Sequence, residues 1–115
     1  MTTRIYLPAT VADLAAWHAA GRIPSTEAGY LAPDTSEEGE YAALMSAAED
    51  SLARLAGEPG RRVVVVVEVE SAAGEVPLRE VVAVHADAEA RPADADPDED
   101  LAWFATQEIP DLIDS

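Results

Sequence analysis

The chain has 115 residues, room for one domain around one hydrophobic core. Hydrophobic residues make up 49% of it, which predicts a folded protein, but much of that share is alanine and the core should be thin. A formal net charge of −16 with no lysine excludes direct binding to a nucleic acid backbone or an anionic membrane surface, and the lack of cysteine excludes disulfides, thiolate metal sites and cysteine nucleophiles.

Arg4 to Leu7 reads as a first strand closed by Pro8, and the apolar stretch there is too short for a signal peptide. Thr10 with Asp13 forms a capping-box pattern, so a first helix is predicted over about Val11 to Ala20, with Gly21 as its C-terminal cap and Pro24 as a stop. Gly29 to Ala32 fits a short edge strand before Pro33. Thr35 with Glu38 repeats the capping signal and opens a second helix. Its apolar face is formed by Tyr41, Leu44, Met45, Ala48, Leu52 and Leu55, with Asp50 and Arg54 paired opposite and an end at Gly57.

Val63 to Val69 is a β-branched run that predicts a central strand covered on both faces for much of its length, too short to cross a bilayer. Arg61, Arg62, Glu68 and Glu70 flank it as gatekeepers against aggregation. A turn at Ala73-Gly74 leads to a strand over Val81 to Ala86, antiparallel to the first because the connection is too short for a helical crossover. Residues 87–97, rich in Ala, Asp, Glu and Pro, are expected to form a mobile acidic loop. Asp96-Pro97-Asp98-Glu99 resembles a helix start, and a last helix is predicted over about Asp98 to Ile109, with Pro110 breaking or kinking it and Leu112 and Ile113 docking in a final turn.

Three segments, Arg4-Ile5-Tyr6-Leu7-Pro8-Ala9-Thr10, Glu40-Tyr41-Ala42-Ala43-Leu44 and Leu101-Ala102-Trp103-Phe104-Ala105-Thr106-Gln107-Glu108-Ile109-Pro110-Asp111-Leu112, carry a resemblance across essentially the whole chain. The sequence resembles an uncharacterised actinobacterial family, a domain of unknown function. The resemblance implies a cytoplasmic protein and carries over no catalytic residue.

On a helical wheel Glu108 falls between Phe104 and Leu112, on the arc that also holds Leu101 and Ala105, so its carboxylate is expected to face the core. Such a group is either a general acid or base with a raised pKa or, the stronger reading, a structural partner, with Arg4 the first candidate. His18 lies on the first helix with Val11, Leu14 and Ala15, and His85 closes the second strand before Asp87. Two histidines and a carboxylate suit zinc or iron in type, but their spacing matches no metal motif, so neither metal nor cofactor is assigned. The weak catalytic set is Glu108, His85 and Tyr6, with Asp87 as an orienter and Thr106 or Tyr6 as a hydroxyl source. Trp103 is placed on the opposite face of the last helix near Thr106 and Gln107, an anchor for a partner protein.

These readings predict one α+β domain: a two-layer α/β sandwich with a small mixed sheet of three or four strands packed against two or three helices, in the order β-α-(β)-α-β-β-α. The leading functional expectation is an acidic cytoplasmic protein-binding or regulatory module that engages a basic protein partner, with binding residues Trp103, Gln107 and Thr106 and a homodimer left open. The rival is a small enzyme built on Glu108, His85 and Tyr6.

Overall fold

A computed structural model describes residues 2–70 and 74–114. The chain is α+β, running β1 (Thr3–Ala9), α1 (Val11–Ala20), β2 (Arg22–Ile23), β3 (Tyr30–Leu31), α2 (Glu37–Arg54), β4 (Val63–Val69), β5 (Val76–Pro77), the 3-10 turn η1 (Leu78–Glu80), β6 (Val81–Ala86), β7 (Ala102–Phe104), the 3-10 turn η2 (Thr106–Glu108) and α3 (Ile109–Asp114). Five strands form an antiparallel sheet in the order β3-β1-β4-β6-β7, and β2 pairs with β5 in a second, two-stranded sheet. The expected mixed sheet of three or four strands is therefore corrected in count, order and direction. All neighbouring strands run antiparallel because β1 lies between β3 and β4, which run in the same direction and are joined by the crossover helix α2. Among the described residues, no helix is long and apolar enough to cross a membrane.

Period-two alternation divides the core. Ile5, Leu7, Val63, Val65, Val67 and Val84 point to one face, where Leu14 of α1, Ile23 of β2, and Ile109 and Leu112 of α3 cover them. Tyr6, Val64, Val66 and Ala83 point to the other, where Ala43, Ala47 and Ala48 of α2 lie on them. The valine strand is thus central and buried on both sides, as its composition predicts, up to the half-exposed Glu68.

The first helix has the predicted bounds because its signals are local. The Thr10 side chain accepts from Asp13 N–H, the Asp13 carboxylate accepts from Thr10 N–H, and Gly21 takes the left-handed conformation at φ 73°. The second helix begins one residue later than its capping pattern suggests: Ser36, not Thr35, is the N-cap and accepts from Gly39 N–H at 3.0 Å. Its buried seam also differs. Ala43, Ala47 and Ser51, four residues apart, together with the expected Ala48, let the helix lie close to the sheet, and Gly39 leaves room for Asp34. Leu44, Met45, Leu52 and Leu55 flank the seam half-buried, while Tyr41 is exposed. Asp50 and Arg54 pair as predicted, at 3.1 Å.

The β4–β6 hairpin is present and antiparallel, with β5 and η1 inserted in its connection; Ala73 of the expected turn lies outside the described residues. The largest correction is at the carboxy-terminal end. The predicted helix over Asp98 to Ile109 is instead a strand, β7, followed by a 3-10 turn, and the α-helix begins only at Ile109. The outer edge of β6 offers unmet backbone groups, and Trp103 and Phe104 suit a pleated surface, so pairing with β6 prevails over the helical pattern. Pro110 then sits in the first turn of α3, where no helical N–H bond is lost.

Candidate functional site

Two adjacent arginines organise the molecule around β7. They precede β4, so alternation sends their side chains to opposite faces of the sheet. The Arg62 guanidinium is buried at 1% exposure against Asp87 at 5%, donating from Nε to Oδ2 at 3.0 Å and from Nη2 to Oδ1 at 2.7 Å. The same guanidinium donates to the carbonyls of Pro97 at 3.0 Å and Glu99 at 2.8 Å, and so pins the chain that leads into β7. Arg61 donates to the carbonyls of Asp87 at 2.8 Å, Ala88 at 3.0 Å and Leu112 at 3.5 Å, which ties down α3. Both arginines, which flank the valine run, are buried in the folded chain. The acidic segment read as a mobile loop is bonded through its carbonyls to Arg62, and through Arg91 to Asp96 and Glu99.

Asp87 is desolvated, which pushes its carboxyl up, but hydrogen bonds from the Arg62 side chain and amide and the charges of Arg62 and Arg91 outweigh this and hold it below the usual carboxylate range. It is an ionised structural partner rather than an orienter of His85.

The backbone phase fixes what β7 presents. Asp87 N–H donates to the Arg62 carbonyl at 3.1 Å, so at Arg62 the main-chain groups turn toward β6. Alternation points those of Val63 the other way, and Val63 N–H indeed meets the Ser51 hydroxyl at 2.8 Å. Val64 pairs with His85 and His85 with Trp103. His85 therefore spends its main-chain groups on β4, Val84 and Ala86 bond Phe104 and Ala102, and the N–H and C=O of Trp103 face the open edge of the sheet.

The Trp103 side chain stands on the α2 face, 60% exposed. Leu101, two residues earlier, packs beside Leu44 and Met45 against the α2-side cluster, and the Tyr41 hydroxyl donates to Asp100 at 2.7 Å. An open cavity of about 420 Å³ lined by Asp87, Arg91, Glu99, Asp100 and Ala102 adjoins the start of the strand. Trp103 is thus on an edge strand, not on a helix with Thr106 and Gln107; those two lie in the following turn, Thr106 half-buried and Gln107 exposed.

The catalytic candidates are not brought together. Tyr6 is buried in the α2-side cluster and lines an open cavity of about 470 Å³ with Arg4, Glu40, Glu68 and Leu31; neither His85 nor Glu108 is among its lining residues. Burial raises the Tyr6 phenol above its ordinary value, with Arg4 opposing and Glu40 and Glu68 adding, so it stays protonated. His85 is half-buried on the α2 face, and burial lowers its pKa. Glu108 lies beyond the Phe104–Val84 pair, next to Ile109, which inserts into the opposite cluster. Its expected partner Arg4 instead bonds Glu40 at 2.9 Å and Glu68 at 2.8 Å, because β1 carries Arg4 alongside Glu68 of β4 and under the start of α2. His18 is exposed near the end of α1. Among the described residues, no group of three or more His, Asp or Glu is arranged to hold a metal.

Sequence reasoning named Arg62 and Asp87 in other roles and missed their buried pairing. The available signal was the doublet itself: two consecutive arginines entering a strand buried on both faces cannot both reach solvent.

The profile of DUF6912, a family of unknown function, matches residues 3–113. No curated protein and no solved structure matches the chain.

Proposed function

From the premise that this chain belongs to DUF6912, a family of unknown function, we propose that it is a protein-binding module for a basic partner, docking through the edge of the sheet at Trp103. The observation that carries this reading is the exposure of Trp103. In a chain with six aromatic residues, a tryptophan left 60% exposed on a strand forfeits burial that the thin core would use, and an exposed indole on an ordered element is the kind of anchor that dominates protein interfaces.

The charge sets the sign of the partner. Asp94, Asp96, Asp98, Glu99 and Asp100 precede β7, and the only basic side chain in residues 87–100, Arg91, is bonded within that segment. A positively charged partner would be steered toward this rim, and the attraction would weaken with salt.

Enrichment from the native host with wild-type and Trp103→Ala proteins in parallel tests the proposal. A basic protein retained by wild type, released by salt and lost from the variant is the expected result; equal retention by both proteins contradicts it.

A further inference from the structure

Resting on that reading, we infer that the partner binds as an extended basic segment that adds a strand to the free edge of β7, with Trp103 as the register-setting residue. Trp103 presents two things at once at the sheet edge: a main-chain N–H and C=O pair directed away from β6, and an indole directed toward the α2 face. An added strand satisfies the first by a reciprocal pair of hydrogen bonds, and one of its side chains meets the second as a cross-strand neighbour.

The edge is bounded on one side. The Ala105 carbonyl accepts from Glu108 N–H at 2.9 Å and the chain turns away into η2, so an incoming segment extends only back past Leu101 toward Asp100 and Asp98. There it meets the cavity that carries Asp87, Glu99 and Asp100 in its lining. Lysine or arginine side chains of that segment would reach Glu99 and Asp100, whereas Asp87 is taken up by Arg62 and Arg91.

Charge also decides against a second copy. Two chains that each carry a net charge of −16 repel one another on approach, whereas a basic segment is attracted. The edge carries a further mark of controlled pairing. At three residues β7 is short, and the chain before it is held by the buried Arg62 rather than free to slip. One precise pairing position is therefore offered instead of a long adhesive edge.

The test is a titration of the ¹⁵N-labelled full chain with a short peptide alternating lysine and valine, with the same peptide N-methylated at every residue, and with an acidic counterpart alternating glutamate and valine. Strand addition is expected to give saturable shifts of the Trp103 backbone amide and indole with the first peptide, slowed exchange of the Trp103 amide, binding weakened by at least about tenfold on N-methylation, and none with the acidic peptide. Equal binding of both basic peptides at Trp103 overturns strand addition while leaving the basic-partner reading in place. Failure of both basic peptides to perturb Trp103 overturns both readings. Protection of the Trp103 amide that rises with protein concentration alone, with a doubled mass, overturns the proposed occupant in favour of a second copy.

Discussion

Ser51 shows how much of this fold hangs on single polar groups. Its hydroxyl donates to the Ala9 carbonyl at 2.6 Å and accepts from Val63 N–H at 2.8 Å, so it is inserted between β1 and β4 where their ladder opens. Ser51→Ala strips both buried main-chain groups of their partner and should cost about 1–3 kcal/mol, read as a lower denaturant midpoint at unchanged m-value. Asp87→Asn is expected to be worse. It leaves the Arg62 guanidinium buried with its charge unpaired, a loss of about 3–5 kcal/mol and a large share of a small domain's stability. Trp103→Ala should change stability by less than about 1 kcal/mol, because most of that side chain is already in water. If Trp103→Ala unfolds the protein, the indole is structural and not an anchor.

Among the elements, legibility follows the range of the interactions that decide each one. Helix α1 was readable in full, because Thr10, Asp13 and Gly21 act within one turn of its ends. Helix α2 was readable as a helix, but its buried seam was not. Periodicity favours the larger residues, whereas close approach to the sheet selects Ala43, Ala47 and Ser51. Ala47→Leu on that seam should overpack the interface and cost about 1–3 kcal/mol in chemical denaturation, where the same change at exposed Ala42 should cost almost nothing. Strand β7 was illegible because what makes it a strand is distant in sequence: the unmet edge of β6, and Arg62 holding Pro97 and Glu99 from 35 and 37 residues away. The two-residue strands β2 and β5 carry no period at all, and the Leu78 N–H bond to the Gly21 carbonyl that joins their neighbourhood is equally remote. The candidate site inherited these limits. Trp103 stood out by residue type alone, while its edge position and outward backbone did not.

At the scale of the whole molecule, pH acts on the packed sheet through His85 and Asp87, whose folded-state pKa values are depressed. Burial lowers His85, so its contribution is complete above its unfolded value of about 6.5 and fades as pH falls toward the folded value. Asp87 contributes fully above about 4 and loses its share below that, as the carboxylate that Arg62 requires becomes protonated. The stability difference between wild type and His85→Gln should therefore vary with pH below about 6.5, and a difference independent of pH would show that His85 is not desolvated. Both the acidic rim and the docking strand depend on the carboxy-terminal third closing the sheet as an edge, so amide hydrogen exchange across residues 101–109 is the most direct test. Ala102 and Phe104 should be protected and Trp103, between them, should exchange rapidly. Continuous protection from Ala102 through Ile109, the signature of a helix, would contradict the structure of the site and the function read from it.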